Sequence, residues 1–244
     1  MLPVAILAGG LGTRLGAVAA TMPKILVDID GRPFAEYQLD WLRAHGVRHV
    51  VYCLGHMGDQ VVAALGDGSR WGMRFEFVMD GPVLLGTGGA LRRAMPGRAD
   101  AFFVLYGDSL LTCDLADVAR VYHARGRACL MTVVANDNQW DRSNVLFRDG
   151  EILAYDKTDG TRGMAHIDYG LGVISSAVLL SYPAEARFDL AQVYQDQLRQ
   201  GELAAYEVAT RFYEIGSPAG LEDTRAFVRS MKQRPGLFYL GTRN

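Results

Sequence analysis

The sequence predicts an α/β fold, a doubly wound mixed sheet of mostly parallel strands, in one domain of 244 residues. Three observations predict it. Short runs that are apolar throughout, such as Val4 to Ala8 and Phe102 to Tyr106, read as strands covered on both faces. Segments with apolar residues at helical spacing lie between them. Glycines, or a Gly-Asp pair, follow several runs at the strand ends where open α/β sheets carry their ligands.

Each element has its own signal. After the first strand, Phe34 to His45 places Leu39, Trp41 and Leu42 on one helical face and stops at Gly46. Val47 to Leu54 is a second buried strand, followed by a short helix from Asp59 to Leu65 and a strand from Arg74 to Met79. Thr87 to Met95 is a helix closed by Pro96-Gly97, and Phe102 to Tyr106 is a strand ending at Gly107-Asp108. A helix from Leu115 to Arg125 leads to a strand from Ala128 to Val134. This alternation makes the sheet Rossmann-like. From about Asn144 the rhythm changes to shorter strands, Val145–Arg148, Glu151–Tyr155 and Ile167–Ser175, the first two joined by a turn at Asp149-Gly150.

Composition excludes several classes. Half the residues are hydrophobic, 21% are charged and the net charge is -2, so neither a nucleic-acid nor a membrane surface is expected. Cys53, Cys113 and Cys129 are odd in number and widely spaced, which fits reduced core thiols. The five histidines lack metal-ligand spacing. No run reaches transmembrane length, and the first apolar stretch is too short for a signal peptide, so a cytoplasmic protein is expected. No hexapeptide repeat is present, so no β-helix appendage is expected either.

The densest chemistry lies at the front. Gly9, Gly10 and Gly12 follow the first strand and let backbone N–H groups approach a bulky anion. Arg14 adds a planar cation able to hold phosphate oxygens in pairs, and Lys24, directed by Pro23, adds a compact one. Together they describe a polyphosphate site. The dinucleotide fingerprint does not fit, because Gly16 comes one place late, and the Gly-Lys-Ser/Thr of a Walker loop is missing. Asp108, at the end of its strand, suits Mg²⁺. A second glycine loop, Gly86-Thr87-Gly88-Gly89, precedes a helix that Thr87 can cap.

Leu7 to Leu15, with Pro23-Lys24 ten residues on, resembles the signature of the sugar-1-phosphate nucleotidyltransferases. The resemblance runs over about residues 2–225 and implies a glycosyltransferase-A-like fold. It implies a nucleotide-binding lobe over 1–135, a sugar-phosphate lobe over 136–225 and a C-terminal extension over 226–244. Leu7, Ala8, Gly9, Gly10, Gly12 and Thr13 then bind the nucleotide, and Arg14 and Lys24 are catalytic. Mg²⁺ is held by Asp108 and by Glu214, which stands where the family has an aspartate. Gly86 and Thr87 lie against the base. The glutamine usual in pyrimidine-specific relatives is replaced by Gly81, and neighbouring Asp80, an acceptor of hydrogen bonds only, tilts the base toward guanine. Asn144, Asp156, Lys157, Asp168 and Gly170 stand where the family holds the sugar phosphate, with Asn144 in place of its glycine and Asp168 in place of its asparagine. The short form and the Pro-x-x-x-Gly-Thr-Gly-Gly-Ala stretch look closest to the heptose-1-phosphate guanylyltransferase branch.

The activity so implied is transfer of a nucleotidyl group from an NTP, with GTP favoured, to a sugar 1-phosphate, giving an NDP-sugar and pyrophosphate. The implied partners are these two substrates, with room for a homodimer. Two alternatives stay open: a non-sugar acceptor such as phosphocholine, for which Tyr155 and Tyr169 could form a cage, and a catalytically silent nucleotide sensor.

Overall fold

The computed structural model describes residues 1–10, 12, 15, 21–157 and 163–233. Arg14 and Thr13 lie outside the described residues. A nine-stranded mixed sheet forms the centre. The first half contributes β1 (Val4–Leu7), the hairpin β2 (Asp28–Ile29) and β3 (Arg32–Pro33), then α1 (Phe34–Ala44), β4 (His49–Leu54), α2 (Gly58–Leu65) and β5 (Arg74–Met79). It continues with α3 (Gly86–Ala94), β6 (Ala101–Tyr106), β7 (Ser109–Leu110), α4 (Leu115–Arg125) and β8 (Cys129–Ala135). The second half adds β9 (Val145–Arg148), β10 (Glu151–Tyr155), β11 (His166–Ser175), α5 (Ser176–Leu180) and α6 (Leu190–Arg199). It ends with β12 (Leu203–Glu207), β13 (Tyr213–Glu214) and α7 (Pro218–Gln233).

The main path runs β10-β9-β11-β6-β1-β4-β5, and β8 joins β11 to β12. β6, β1, β4 and β5 are mutually parallel, as the βαβ rhythm of the first half requires. β11 is the seam. Its Leu171–Ser175 stretch runs antiparallel to β6, while its other edge pairs with β8. A register shift between Asp168 and Gly172 bends it, with Gly170 at φ 89° inside the shift. Both halves of the chain therefore share one sheet.

Alternation within β1 sets the two core layers. Val4 and Ile6 face a cluster with Leu39 and Trp41 of α1, Val61 of α2 and Val118 of α4. Ala5 faces the opposite cluster, with Leu91 of α3, Leu179 of α5 and Tyr194 of α6. A third, smaller core joins Val27, Phe34, Tyr37 and Leu110 to Leu221 and Val228 of α7. The expected strands and helices of the first half appear within one or two residues of their predicted ends. The β9–β10 turn has Asp149 and Gly150 at φ 52° and 81°, the backbone of a tight hairpin. The three cysteines are free and buried, and burial pushes each thiol up to about 12. Elements α6, β12 and α7 had no motif to announce them.

Candidate active site

Two cavities open at the carboxyl ends of the parallel strands and meet at one turn. The first, about 270 Å³, is lined by Leu7, Ala8, Gly9, Gly10, Lys24, Asp80, Gly86 and Thr87. The second, about 520 Å³, is lined by Asn144, Lys157, Asp168, Gly170 and Glu214. Tyr106 and Asp108, at the end of β6, line both.

Gly9 is required by its neighbours as well as by any anion. A Cβ there would stand 2.9 Å from the Gly55 nitrogen, where the end of β1 crosses the end of β4. A Cβ on Gly10 would meet nothing within 4 Å among the described residues. Gly12 takes φ 65°, and its carbonyl accepts the Leu15 N–H at 3.0 Å. After Pro23, the chain makes a single 3-10 turn over Lys24–Leu26 with Ile25 buried in the core. That turn aims the Lys24 ammonium at Asp108, with Nζ 2.8 Å from Oδ2. The pair is partly covered, 18% and 27% exposed, so it is less screened than a surface pair.

The second metal candidate arrives through a short ladder. β13 pairs with β7, Glu214 opposite Ser109, and the Ile215 N–H donates to the Asp108 carbonyl at 2.9 Å. The Glu214 backbone is thus beside Asp108. Its carboxylate accepts the Gly216 N–H and, at 2.7 Å, the Ser217 hydroxyl, at the start of α7. Among the described residues no three of His, Cys, Asp and Glu gather as a metal cluster.

In the second cavity the side chains form one network. Lys157 lies 3.2 Å from both the Asp168 carboxylate and the Tyr106 hydroxyl. Burial alone would lower the Lys157 pKa; Tyr106 and Asp168 outweigh it, and the pKa is raised. The Asn144 amide oxygen accepts the Asp168 N–H at 2.9 Å, and Asp168 accepts the Gly170 N–H at 3.0 Å. Asp156 donates its own N–H to the Asn144 carbonyl at 2.9 Å, which sets the strand end ahead of Lys157. Trp140 and Phe212 supply aromatic walls, with Arg211 4.9 Å over the Trp140 ring.

The base loop differs from its expected geometry in two respects. Thr87 does not cap the helix that contains it, because α3 already begins at Gly86 after Leu85. Its hydroxyl instead accepts the Leu190 N–H at 2.7 Å, at the start of α6. Gly88 and Gly89 do not admit a base. A Cβ on them would stand 2.4 Å from the Phe188 ring and from the Ala186 carbonyl oxygen, respectively. Both glycines exist so that the 186–189 segment can pack on the loop, where their N–H groups donate to the Phe188 carbonyl. Asp80 is 6% exposed and accepts the Leu85 N–H at 3.1 Å.

Sequence reasoning missed Arg187 and Asp189, which line the first cavity from the second half of the chain. No local motif marks them; they arrive only because Phe188 is fixed to the base loop. The aromatic cage is also ruled out as drawn. Tyr155 and Tyr169 are 4% and 0% exposed, and their hydroxyls are bonded to Asp168 and Thr112.

Known proteins share this architecture. A UTP–glucose-1-phosphate uridylyltransferase of Synechocystis sp. is 26% identical over 85% of this chain, which spans 58% of that relative's length. A D-glycero-α-D-manno-heptose 1-phosphate guanylyltransferase of Campylobacter jejuni is 24% identical over 87% of this chain and 94% of its own. The crystal structure of HddC from Yersinia pseudotuberculosis, complexed with GMP-PN, superposes with a TM-score of 0.75 and 26% identity, over 93% of this chain and 100% of that one. The model of the MobA-like NTP transferase domain matches residues 4–213, and with its glycine-lined cavity and Lys24–Asp108 pair the chain belongs to that family.

Proposed function

We propose that the protein transfers a nucleotidyl group from an NTP, with GTP favoured, to a sugar 1-phosphate, releasing pyrophosphate and forming an NDP-sugar for surface polysaccharide synthesis in the cytoplasm. One observation carries this reading. Asp108 stands at the junction of two cavities, one walled by glycine loops and the other by a lysine network. A reaction that joins two phosphates needs that junction. An oxygen of the sugar 1-phosphate attacks the α-phosphorus, forming a new P–O bond. The bond to the bridging oxygen breaks, and pyrophosphate leaves with the electron pair. The attacking group is already ionised, so no protein base is required. Catalysis is positioning and charge neutralisation.

Each residue has a part in that scheme. Gly9, Gly10 and Gly12 receive the triphosphate, with Arg14 on the departing pyrophosphate. Lys24 lies between the incoming anion and the α-phosphate. Lys157, oriented by Asp168, Asn144 and Asp156, takes the sugar phosphate, and Gly170 lets β11 turn beside it. Asp80 accepts from the base, beside Gly86 and Thr87. Mg²⁺ fits the donor set, since Asp108 and Glu214 offer hard oxygens and phosphates and water complete such a shell. Each Glu214 oxygen that accepts one hydrogen bond still keeps a lone pair. When bound, the ion would supply charge neutralisation at the reacting phosphates. Possible acceptors are narrowed by the burial of Tyr155 and Tyr169, which disfavours a choline-type headgroup.

Pyrophosphate release measured with GTP, UTP, dTTP and CTP against a panel of sugar 1-phosphates tests the reading. GTP should lead by at least about tenfold, a difference of about 1.4 kcal/mol, and EDTA should stop the reaction. Release with no pair would overturn the activity. A lead for UTP or CTP would overturn the base.

A further inference from the structure

Gln38, on α1, is a fully buried amide that the proposed chemistry does not use. Its Nε2 lies 3.0 Å from the Tyr106 carbonyl and 2.7 Å from the Ser109 carbonyl. These carbonyls flank Gly107 and Asp108, so one side chain spans the turn that presents the carboxylate. Donor count fixes the amide's orientation. Reversed, Oε1 would face two carbonyl oxygens with no hydrogen between them. Oε1 itself is buried with no partner among the described residues.

The same helix also packs against the Lys24 turn. Residues of the Lys24 turn pack on this helix, with Ile25 in the same core as Leu39 and Leu42. The Phe34 N–H donates to the Val27 carbonyl at 2.9 Å, closing the chain from the Lys24 turn onto the start of α1. One rigid helix thus holds both partners of the 2.8 Å Lys24–Asp108 contact: Lys24 through packing and the Asp108 turn through Gln38.

We infer that Gln38 is a positioning residue that sets Asp108 against Lys24 and against the metal by fixing the Tyr106–Ser109 turn. This rests on the reading of Asp108 as a metal ligand. Groups hydrogen-bonded directly to metal ligands change metal affinity or activity by about 10- to 100-fold when lost; Gln38 acts one step further out, on the backbone that carries the ligand, so an effect at the lower end is expected. Gln38→Met keeps the volume and removes both donors; Gln38→Leu does so with a stiffer chain.

The test combines three measurements on Gln38→Met, Gln38→Leu and Asp108→Asn. These are Mn²⁺ binding by electron paramagnetic resonance with a non-hydrolysable NTP analogue bound, the Mg²⁺ dependence of kcat and KM, and the thermal midpoint. The Gln38 variants should weaken Mn²⁺ binding and lower kcat by about tenfold, with KM for the NTP changed by less than about twofold, and should stay folded with the midpoint lowered by several degrees, because the Tyr106 and Ser109 carbonyls lose their donor. A folded Gln38 variant with unchanged Mn²⁺ binding and kcat overturns the inference if Asp108→Asn does weaken Mn²⁺ binding. If Asp108→Asn leaves the metal unaffected, the metal reading of Asp108 falls and this inference falls with it. Should Gln38→Leu fail to fold, Gln38→Met decides alone, and a crystal structure of it should show Asp108 withdrawn from Lys24.

Discussion

Lys24 has the largest single task in the proposed chemistry. It faces Asp108 at 2.8 Å and lines the cavity assigned to the nucleotide. Charge between two phosphates peaks in the transition state, and removing a group that stabilises it costs about 2.7–4 kcal/mol. Lys24→Ala should therefore lower kcat by at least about 100-fold with the fold retained, as read by steady-state kinetics and circular dichroism. Asp80 gives a pH-dependent prediction. Burial raises its pKa, while the Leu85 N–H and the Arg93 charge oppose the rise only in part. A carboxyl raised above its unfolded value supports the fold while protonated, below the ordinary carboxylate pKa. That support is lost as pH climbs through the raised value. Asp80→Asn stays neutral and still accepts the Leu85 N–H. It should raise the thermal midpoint at neutral pH, change it little near about pH 3, and narrow the lead of GTP over other nucleotides.

At the scale of elements, Gly88 and Gly10 stand in different surroundings, and one pair of variants separates their roles. A Cβ on Gly88 collides with the Phe188 ring, which is itself stacked on Tyr182 with 4.6 Å between centroids. Gly88→Ala should cost about 1–3 kcal/mol of stability, seen in a denaturant melt. A Cβ on Gly10 would meet nothing within 4 Å among the described residues. Gly10→Ala should change stability by less than about 0.5 kcal/mol and raise KM for the NTP instead. An equal loss of stability in both would mean that the first loop, too, is glycine for packing.

Over the whole molecule, the cavity proposed for the nucleotide is not the property of the first half. The 182–190 segment grips the base loop through Arg93 and Glu185, the Phe188 N–H to the Leu85 carbonyl at 3.0 Å, and the Leu190 N–H to Thr87. Arg187, between the fixed Ala186 and Phe188, is presented to the cavity with no hydrogen bond or ion pair among the described residues. Arg187→Ala should raise KM for the NTP by about tenfold while KM for the sugar phosphate holds, measured by initial rates. The reverse pattern would place Arg187 with the acceptor. No helix among the described residues is long and apolar enough to cross a membrane.

The sequence by itself determined what local pattern encodes. Apolar runs such as Phe102-Phe103-Val104-Leu105 read as covered strands, and the glycines after the first strand, with Lys24, read as a site for a large anion. Hairpin chemistry at Asp149-Gly150 was legible for the same reason, because few residues adopt positive φ twice in a row. The tertiary structure decided what depends on partners distant in sequence. It used the Gly88 and Gly89 positions for Phe188 and Ala186, turned the Glu214 carboxylate to Gly216 and Ser217, and hung the Asp108 turn from Gln38. These contacts join residues 68 to 100 positions apart along the chain, or depend on a strand pairing between β7 and β13 that two residues cannot announce. A side chain's period reveals which face it occupies, whereas the atom it meets there is fixed only when the whole sheet has closed around it.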